Sequence, residues 1–504
     1  VLDVAASKVD PDTLYLLAPR NDDKVWKSTD RGATWSDITA GMPTGYNWSQ
    51  GWYDYHINTS SYVDGGGVTK DVVYIGLIDV VMSIDGGTTF RNVGGSGFTP
   101  CYSGSAILHN DQHSFAMNPN NPNEVIFGCD GGVYKFTYDP GTDTYTYNLL
   151  NRNLGITQFY RIAAHPTDKD YLLGGTQDNA SPLSRGDLNW INPGAGDGAG
   201  CAISQVNPQI QFNTWQFQGI YQTLNGWTNR QHITPDWTGH SRPFIGKLRL
   251  DPNNDDHMYV NTDYLNRWNI DTQTWELQLG GIKLTTSGRV NEMAVAPGDS
   301  DRIYSGSTDA ELWMSEDHGA TWARIDDSQK NGGSGLPNRA ITTIYVNPTN
   351  KNDVIVGVSG GGTGHLWRCF DVTAGTPVWT DISGAGANSL PNVSLNSFTA
   401  DIFHPDRVWY VATDVGVYRS TDEGSTWNDI TQSLGLPQVQ VSEVIAVPGT
   451  GYLNAGTFGR GWWRMELEPQ VPSIASVGFG TNPVTGGNNT TMTVTLDGPA
   501  PVSY

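Results

Sequence analysis

The chain has 504 residues, with 29 lysines and arginines against 51 aspartates and glutamates, and its net charge is −22 at pH 7. This charge disfavours nucleic acid, whose phosphates would be repelled, and also an anionic membrane surface. No apolar run is long enough to insert into a membrane as a helix. The 60 glycines, 18 tryptophans and 22 tyrosines, beside only 16% charged residues, are typical of an all-β protein with many turns.

A short phrase with the pattern S-x-D-x-G-x-T-W/F occurs at residues 28–35, 83–90, 315–322 and 420–427. Glycine permits a positive φ in a tight turn, and the aspartate can accept hydrogen bonds from turn amides. The aromatic residue begins the next strand and packs between sheets. We therefore predict that these residues form turns and take no part in catalysis: Ser28, Asp30, Gly32, Trp35, Ser83, Asp85, Gly87, Ser315, Asp317, Gly319, Trp322, Ser420, Asp422, Gly424 and Trp427.

The phrase resembles the Asp-box (BNR) repeat of β-propellers, which is found in sialidases, the sortilin family, xyloglucan-hydrolysing enzymes and bacterial surface proteins. The resemblance implies a blade hairpin and carries almost no information on activity. Around it a longer strand pattern recurs at a spacing of roughly 47 residues, which suits a four-stranded blade. We predict an all-β fold with about ten four-stranded blades over residues 1–468, as one large ring or as tandem smaller propellers.

Residues 469–504 follow a different pattern. After a proline-rich stretch, alternating segments near 473–479 and 491–496 are typical of sandwich strands. They resemble the start of an Ig-like module, so we predict a linker and the first strands of an incomplete Ig-like domain, continued covalently by further surface modules. Cys101, Cys129, Cys201 and Cys369 are too few for a disulfide scaffold, and one bridge stays open.

In a propeller blade, the turn between the second and third strands lies at the same end as the segment that enters the blade. We expect polar ligand-binding residues at that end, away from the repeated turns. The predicted ligand-binding residues are His109, Asp111, His113, Gln177, Asp178 and Asp197.

His109, Asp111 and His113 share one face if the segment is a strand. Two imidazoles and a carboxylate could bind a divalent metal, could supply an acid and a base, or could simply form a hydrogen-bonded entry strand. Calcium or another divalent metal is therefore the candidate cofactor, and the acidic loop at 251–256 is a further place for calcium.

Aromatic residues next to carboxylates suit sugar binding, because pyranose faces stack on rings, although packing between blades is the alternative role. The segments 48–55 and 227–237 lie in predicted loops, so we expect their aromatic side chains to be exposed.

Two functions are compatible with these features. The first is a secreted, extracellular or cell-surface propeller that is the binding or scaffold module of a larger surface protein, with a glycan or protein ligand. The second is a polysaccharide-active glycoside hydrolase. Residues 129–134 and 413–418 resemble the surroundings of a catalytic acid in xyloglucan hydrolases, which implies Asp130 and Asp414 as the catalytic carboxylates. Whether the protein is an enzyme stays open at this point.

Overall fold

The computed structural model describes residues 2–20, 22–94, 108–187, 189–326, 335–467, 474–479 and 492–496. Regular structure in these ranges consists of β-strands and short 3-10 turns, without an α-helix. No helix within them has the length and apolar character needed to cross a membrane. The chain divides into two compact units, residues 1–156 and 157–504.

The first unit contains three four-stranded antiparallel sheets, each a meander in chain order. Their strands are β1 (Asp3–Ala6), β2 (Leu14–Ala18), β3 (Lys24–Ser28) and β4 (Ser36–Asp37); β5 (His56–Val63), β6 (Thr69–Gly76), β7 (Val80–Ser83) and β8 (Arg91–Asn92); and β9 (Gln112–Met117), β10 (Glu124–Cys129), β11 (Gly132–Asp139) and β12 (Thr144–Leu149). The first strands of successive sheets pack against one another, β1 on β5 and β5 on β9. This is the packing of propeller blades.

The second unit contains seven sheets of the same kind, of which the first and last have three strands and the others four. The strands are β13 (Phe159–Ala164), β14 (Tyr171–Thr176) and β15 (Leu183–Arg185); β16 (Gly198–Ile203), β17 (Gln211–Trp215), β18 (Gly219–Thr223) and β19 (Gln231–His232); β20 (Leu248–Leu250), β21 (His257–Asn261), β22 (Leu265–Asn269) and β23 (Thr274–Glu276); β24 (Val290–Ala296), β25 (Asp299–Ser307), β26 (Leu312–Ser315) and β27 (Ala323–Arg324); β28 (Ile341–Asn347), β29 (Asn350–Val358), β30 (Leu366–Cys369) and β31 (Thr380–Asp381); β32 (Leu395–Ala400), β33 (Trp409–Thr413), β34 (Gly416–Ser420) and β35 (Asn428–Asp429); and β36 (Val441–Val447), β37 (Tyr452–Thr457) and β38 (Trp462–Glu466).

The seven sheets of the second unit close into a ring of their own. The last sheet packs on the first through β36 and β13. Ser442 Oγ donates a 2.7 Å hydrogen bond to the carbonyl of Phe159, and the amide of Ile162 donates a 2.9 Å hydrogen bond to Glu443 Oε2. Blades four to ten therefore close into a ring within the second unit.

The first strands of this ring carry a recurring bulge. The strand register shifts near the start of β13, β24, β28, β32 and β36. A bulge leaves one residue unpaired and re-aims its side chain. The unpaired residues, called here the bulge residues, are Tyr160, Asn291, Thr342, Asn396 and Ser442.

Four of the bulge residues link successive blades. Their side chains donate to a carbonyl at the start of the next blade: Asn291 to Ile341 (2.7 Å), Thr342 to Leu395 (2.6 Å), Asn396 to Val441 (2.9 Å) and Ser442 to Phe159 (2.7 Å). The same type of hydrogen bond that joins neighbouring blades thus also joins the last blade of the second unit to the first blade of that unit.

The four repeated phrases form the same turn, between the third and fourth strands of their blades. In the first copy, Ser28 Oγ donates to Asp30 Oδ1 and accepts from the Gly32 amide, at 2.7 and 2.8 Å. Asp30 in turn accepts from the amide and hydroxyl of Thr34. These bonds recur in the other three copies. The repeated glycines have φ between 81° and 88°, the left-handed region that glycine enters without strain.

The tail strands β39 (Ile474–Phe479) and β40 (Met492–Leu496) pair antiparallel. The expected boundary at 468/469 lies outside the described residues, and the Ig-like domain stays a prediction. Cys129, Cys201 and Cys369 are free thiols, whereas Cys101 lies outside the described residues.

Candidate functional site

Three loops of the first unit meet at the end predicted for ligand binding. They are the entry loop 48–55 before β5, the segment 109–111 before β9, and the β10–β11 turn at Asp130. The amide of Asp111 donates to the carbonyl of Ile78 in the β6–β7 turn, at 3.0 Å. The amide of Asp130 donates to the carbonyl of Asp111 at 3.3 Å. Backbone hydrogen bonds therefore bring Asp111 and Asp130 together in one carboxylate site.

Asp130 is held as an ionised carboxylate by two side chains. His113 Nε2 lies 2.8 Å from Asp130 Oδ1, and the hydroxyl of Tyr53 donates to Asp130 Oδ2, also at 2.8 Å. The rings of Tyr53 and His113 meet edge to face with centroids 4.8 Å apart. Burial favours the protonated acid, but the hydrogen bonds from His113 and Tyr53 outweigh it and lower the pKa of Asp130.

The neighbouring carboxyls of Asp54 and Asp111 shift in the opposite direction. The side chain of Asp54 is fully buried, and neither of its oxygens accepts a hydrogen bond. Burial, followed by the negative charge of Asp111, raises the pKa of Asp54 to about 8. Burial and then the charge of Asp130 raise the pKa of Asp111, which accepts a 3.1 Å hydrogen bond from Gln50 Nε2. The site therefore combines the ionised carboxylate of Asp130 with the protonated carboxyl of Asp54 and with Asp111, whose pKa is raised.

Exposed aromatic rings border this site. Trp52 is 63% exposed and Tyr53 is 37% exposed, with ring centroids 5.6 Å apart. An open depression of about 740 Å³ adjoins them, and its lining includes Trp48, Trp52 and Arg20. In the other loop expected to expose aromatics, Trp237 is only 6% exposed, so that expectation is wrong for its side chain. Of the two loops predicted to expose aromatic rings, loop 48–55 of the first unit therefore places exposed rings next to carboxylates.

The expected strand alternation of His109, Asp111 and His113 is wrong. Strand β9 begins only at Gln112, and Asp111 has a φ of 64°, so the three side chains do not share a strand face. The reason is that the amides of Asp111 and Gln112 bond to the β6–β7 turn of the neighbouring sheet.

No group of three or more histidine, cysteine, aspartate or glutamate side chains within the described ranges could hold a metal ion. In the acidic loop 251–256, Asp251 Oδ1 accepts from the amide of Asn253 and so stabilises a turn. A divalent metal cofactor stays a prediction that this geometry does not support.

The remaining candidates lie in the second unit. The hydroxyl of Tyr160 donates to Gln177 Oε1 at 3.0 Å, and burial together with the charges of Asp197 and Asp178 raises the pKa of Tyr160. Gln177, Asp178 and Asp197 therefore group around one tyrosine.

Asp414 lies in the β33–β34 turn, where its Oδ1 accepts from Asn396 Nδ2 and Gln440 Nε2 at 3.0 and 3.1 Å. Asp130 and Asp414 belong to different units. Their joint catalytic role stays a prediction.

Sequence reasoning missed Asp54 and Gln50. It singled out segment 48–55 for its aromatics and gave no role to the acid between Tyr53 and Tyr55. The available signal was a carboxylate inside an aromatic loop that enters a blade, immediately before a strand.

No known family model matches the chain. It is 23% identical over 334 residues to a xyloglucanase of Hypocrea jecorina, a match that covers 58% of this chain and 35% of that protein. It is 26% identical over 253 residues to a xyloglucanase of a Paenibacillus species, covering 43% and 22%. An oligoxyloglucan-reducing end-specific xyloglucanase of Emericella nidulans is 28% identical over 219 residues, covering 36% and 26%. The matches span about a third or less of these curated relatives.

The fold is similar to the crystal structure of the GH74 xyloglucanase from Xanthomonas campestris. The TM-score is 0.54 at 13% identity, and the similarity covers 92% of this chain and 74% of that chain. The predicted all-β propeller fold is confirmed. At this level of identity the similarity concerns the fold alone, and the chain is a β-propeller protein of xyloglucanase-like architecture.

Proposed function

We propose that the protein binds a xyloglucan-type polysaccharide at the carboxylate site of the first unit and hydrolyses it there. The observation that carries the proposal is the opposite pKa shift of neighbouring carboxyls, Asp130 downward and Asp111 upward, beside the exposed rings of Trp52 and Tyr53. Glycoside hydrolysis uses one carboxyl that retains a proton and one that is ionised. The curated relatives bear the name xyloglucanase, which favours hydrolysis over the scaffold role expected first.

In this proposal Asp111 is the general acid. It is half-buried, and burial raises its pKa, so it is a better proton donor than Asp130 to the glycosidic oxygen as the bond to the anomeric carbon breaks. Asp130 is the base that takes a proton from the attacking water, whose oxygen bonds to the anomeric carbon. Asp54 is fully buried, so it is a positioning residue that acts on Asp111 through its charge state.

The aromatic surface supplies the binding energy. A pyranose stacked on Trp52 or Tyr53 would lie next to Asp130, because the hydroxyl of Tyr53 bonds directly to that carboxylate. The depression of about 740 Å³ beyond Trp52 has room for further sugar units. A polysaccharide substrate agrees with the expected extracellular or cell-surface location.

Binding without turnover is the second candidate. Both oxygens of Asp130 are already engaged, by His113 and Tyr53. A base that is held in this way could instead orient a sugar hydroxyl. This version keeps the same site and the same ligand class, and differs only in the absence of bond cleavage.

The test is incubation of the purified protein with xyloglucan, with new reducing ends and polymer length as readouts. We expect cleavage by the wild-type protein and losses of about 100-fold or more in Asp130→Asn and Asp111→Asn. Asp22→Asn, at an exposed site of the same unit, is the matched control. Xyloglucan binding without new reducing ends would support the second candidate. Absence of both binding and cleavage would refute the proposed function.

A further inference from the structure

The second unit contains a cavity of about 220 Å³, called here the axial cavity, which is separate from the carboxylate site of the first unit. Its wall includes the five bulge residues and two cations, Arg161 and Lys247. A water molecule occupies about 30 Å³, so the cavity has room for about seven waters or one hexose-sized ring. Polar side chains from six different blades therefore converge on a space of ligand size.

An ion network underlies this wall. Lys247 is 3% exposed, and its Nζ donates to Glu292 Oε2 at 2.8 Å and to the carbonyl of Thr342 at 2.7 Å. Arg249 donates to Glu292 Oε2 and to Glu443 Oε1, at 3.0 and 3.3 Å.

The other two oxygens of these carboxylates are engaged by the backbone. Glu292 Oε1 accepts from the amide of Met293, and Glu443 Oε2 accepts from the amide of Ile162. Every carboxylate oxygen of the network therefore already has a donor.

The cations, in contrast, have donors to spare. The Arg161 guanidinium has five N–H groups, and its hydrogen bond is from NH1 to the carbonyl of Ser442, at 3.2 Å. Its Nε is buried without an acceptor. Lys247 uses two of its three N–H groups. Burial lowers the pKa of Lys247 to about 7, so near neutral pH two arginines and a partly protonated lysine face two carboxylates. An additional acceptor with a negative charge would satisfy the remaining N–H groups and would favour the protonated form of the lysine.

The rest of the cavity wall suits the body of a sugar. The rings of Tyr160 and Phe458 both line it, with centroids 5.4 Å apart. Asn396 and Gln440 also line it, and they donate to Asp414 Oδ1. Amide oxygens and the second oxygen of Asp414 can accept from hydroxyl groups. A simple inorganic anion has no ring face to pack against these two aromatic side chains.

We propose that the axial cavity binds a sugar acid of hexuronate size. The carboxylate of the ligand accepts hydrogen bonds from Arg161 and Lys247. Its hydroxyls bond to Asn396, Gln440 and Asp414, and its ring face lies against Tyr160 and Phe458. The proposal does not depend on xyloglucan hydrolysis, because every residue that it uses belongs to the second unit.

The test is calorimetric titration of the full chain with glucuronate and galacturonate, and with glucose and acetate, at constant ionic strength. We expect one hexuronate per chain, and affinities about tenfold or more lower for glucose and acetate, which each lack half of the recognised groups. Arg161→Gln should weaken hexuronate binding by about tenfold or more, because it removes a charged donor. Arg464→Gln is the control, since that arginine of the last blade is paired with exposed Asp170 and does not line the cavity.

A second variant keeps the proposal testable if Arg161→Gln does not fold. Gln440 is exposed at the edge of the cavity, so Gln440→Glu keeps an acceptor oxygen for a hydroxyl and adds a negative charge without disturbing the core. It should weaken hexuronate binding more than glucose binding, because only the hexuronate is negatively charged. Equal affinities for glucose and hexuronate would overturn the role of the cations. Equal affinities for acetate and hexuronate would overturn the role of the sugar ring. Unchanged binding in both variants would place any bound hexuronate elsewhere.

Discussion

Tyr53 and Asp130 are separated by 77 residues in the chain and joined by a 2.8 Å hydrogen bond from the phenol to Oδ2. One partner belongs to the entry loop of the second blade, and the other belongs to a turn of the third. The bond couples an exposed aromatic ring to the ionised carboxylate of the site. A sugar that stacks on the ring is therefore placed beside the group that would act on it.

Tyr53→Phe should shift the acid limb of the activity profile. The substitution keeps the ring and removes a donor that holds the pKa of Asp130 down. The pKa of Asp130 then rises, so activity on xyloglucan should fall off at a higher pH than in the wild type. The measurement is kcat/KM against pH. Tyr55→Phe, in the same loop, should leave the profile in place; an unmoved limb in Tyr53→Phe would show that Asp130 does not control it.

Trp52→Ala should weaken glycan binding and leave stability unchanged. The side chain is 63% exposed, so its removal exposes little of the core. Loss of one stacking partner should lower xyloglucan affinity by about tenfold, which equals about 1.4 kcal/mol. Affinity electrophoresis in gels with and without xyloglucan measures this. Trp190→Ala, at an exposed tryptophan of the second unit, should migrate like the wild type. Equal retardation of both variants would exclude Trp52 from the binding surface.

Local features could be predicted from the sequence, whereas contacts between distant segments could not. Each repeated turn is fixed by bonds that span only two to four residues, such as Ser28 to Asp30. A further turn keeps the same bonds with other residues, because Thr223 and Asn225 replace the serine and aspartate. The ring closure, in contrast, depends on a bond between Phe159 and Ser442, which are 283 residues apart.

The candidate site was predicted in part. Asp111 and His113 were named from the rule for blade ends and Asp130 from the resemblance to xyloglucan hydrolases, and the three do lie together. Asp54 has no motif, and its raised pKa depends on burial that only the folded loops create. The strand face expected for residues 109–113 is not formed, because the amide of Asp111 donates a hydrogen bond to the neighbouring β6–β7 turn.

Ser420→Ala should destabilise the second unit more than Asp422→Ala. Ser420 is fully buried, and its hydroxyl accepts a hydrogen bond from the Gly424 amide and donates one to Asp422. Its loss leaves a buried donor unpaired, at a cost of about 1–3 kcal/mol in the free energy of unfolding. Asp422 is exposed and accepts from Ser420 and from Thr426, so water can reach these donors once the carboxylate is removed, and we expect about 1 kcal/mol there. Urea unfolding measures both, with exposed Ser433→Ala as the control. The reverse order would contradict the hydrogen-bond assignment.

Asp54 should make the stability of the first unit depend on pH. Its folded pKa is about 8, and an aspartate in an unfolded chain has a pKa of about 3.9. The folded unit therefore holds a proton that the unfolded chain releases between these values, so the stabilising contribution is complete below about pH 4 and is lost as pH rises towards 8. Asp54→Asn copies the neutral form and should flatten the decline, whereas the exposed control Asp22→Asn should keep it. Thermal unfolding followed by tryptophan fluorescence at pH 5 and 8 measures the difference. Parallel declines in the wild type and Asp54→Asn would mean that Asp54 is ionised in the fold, which would contradict its raised pKa.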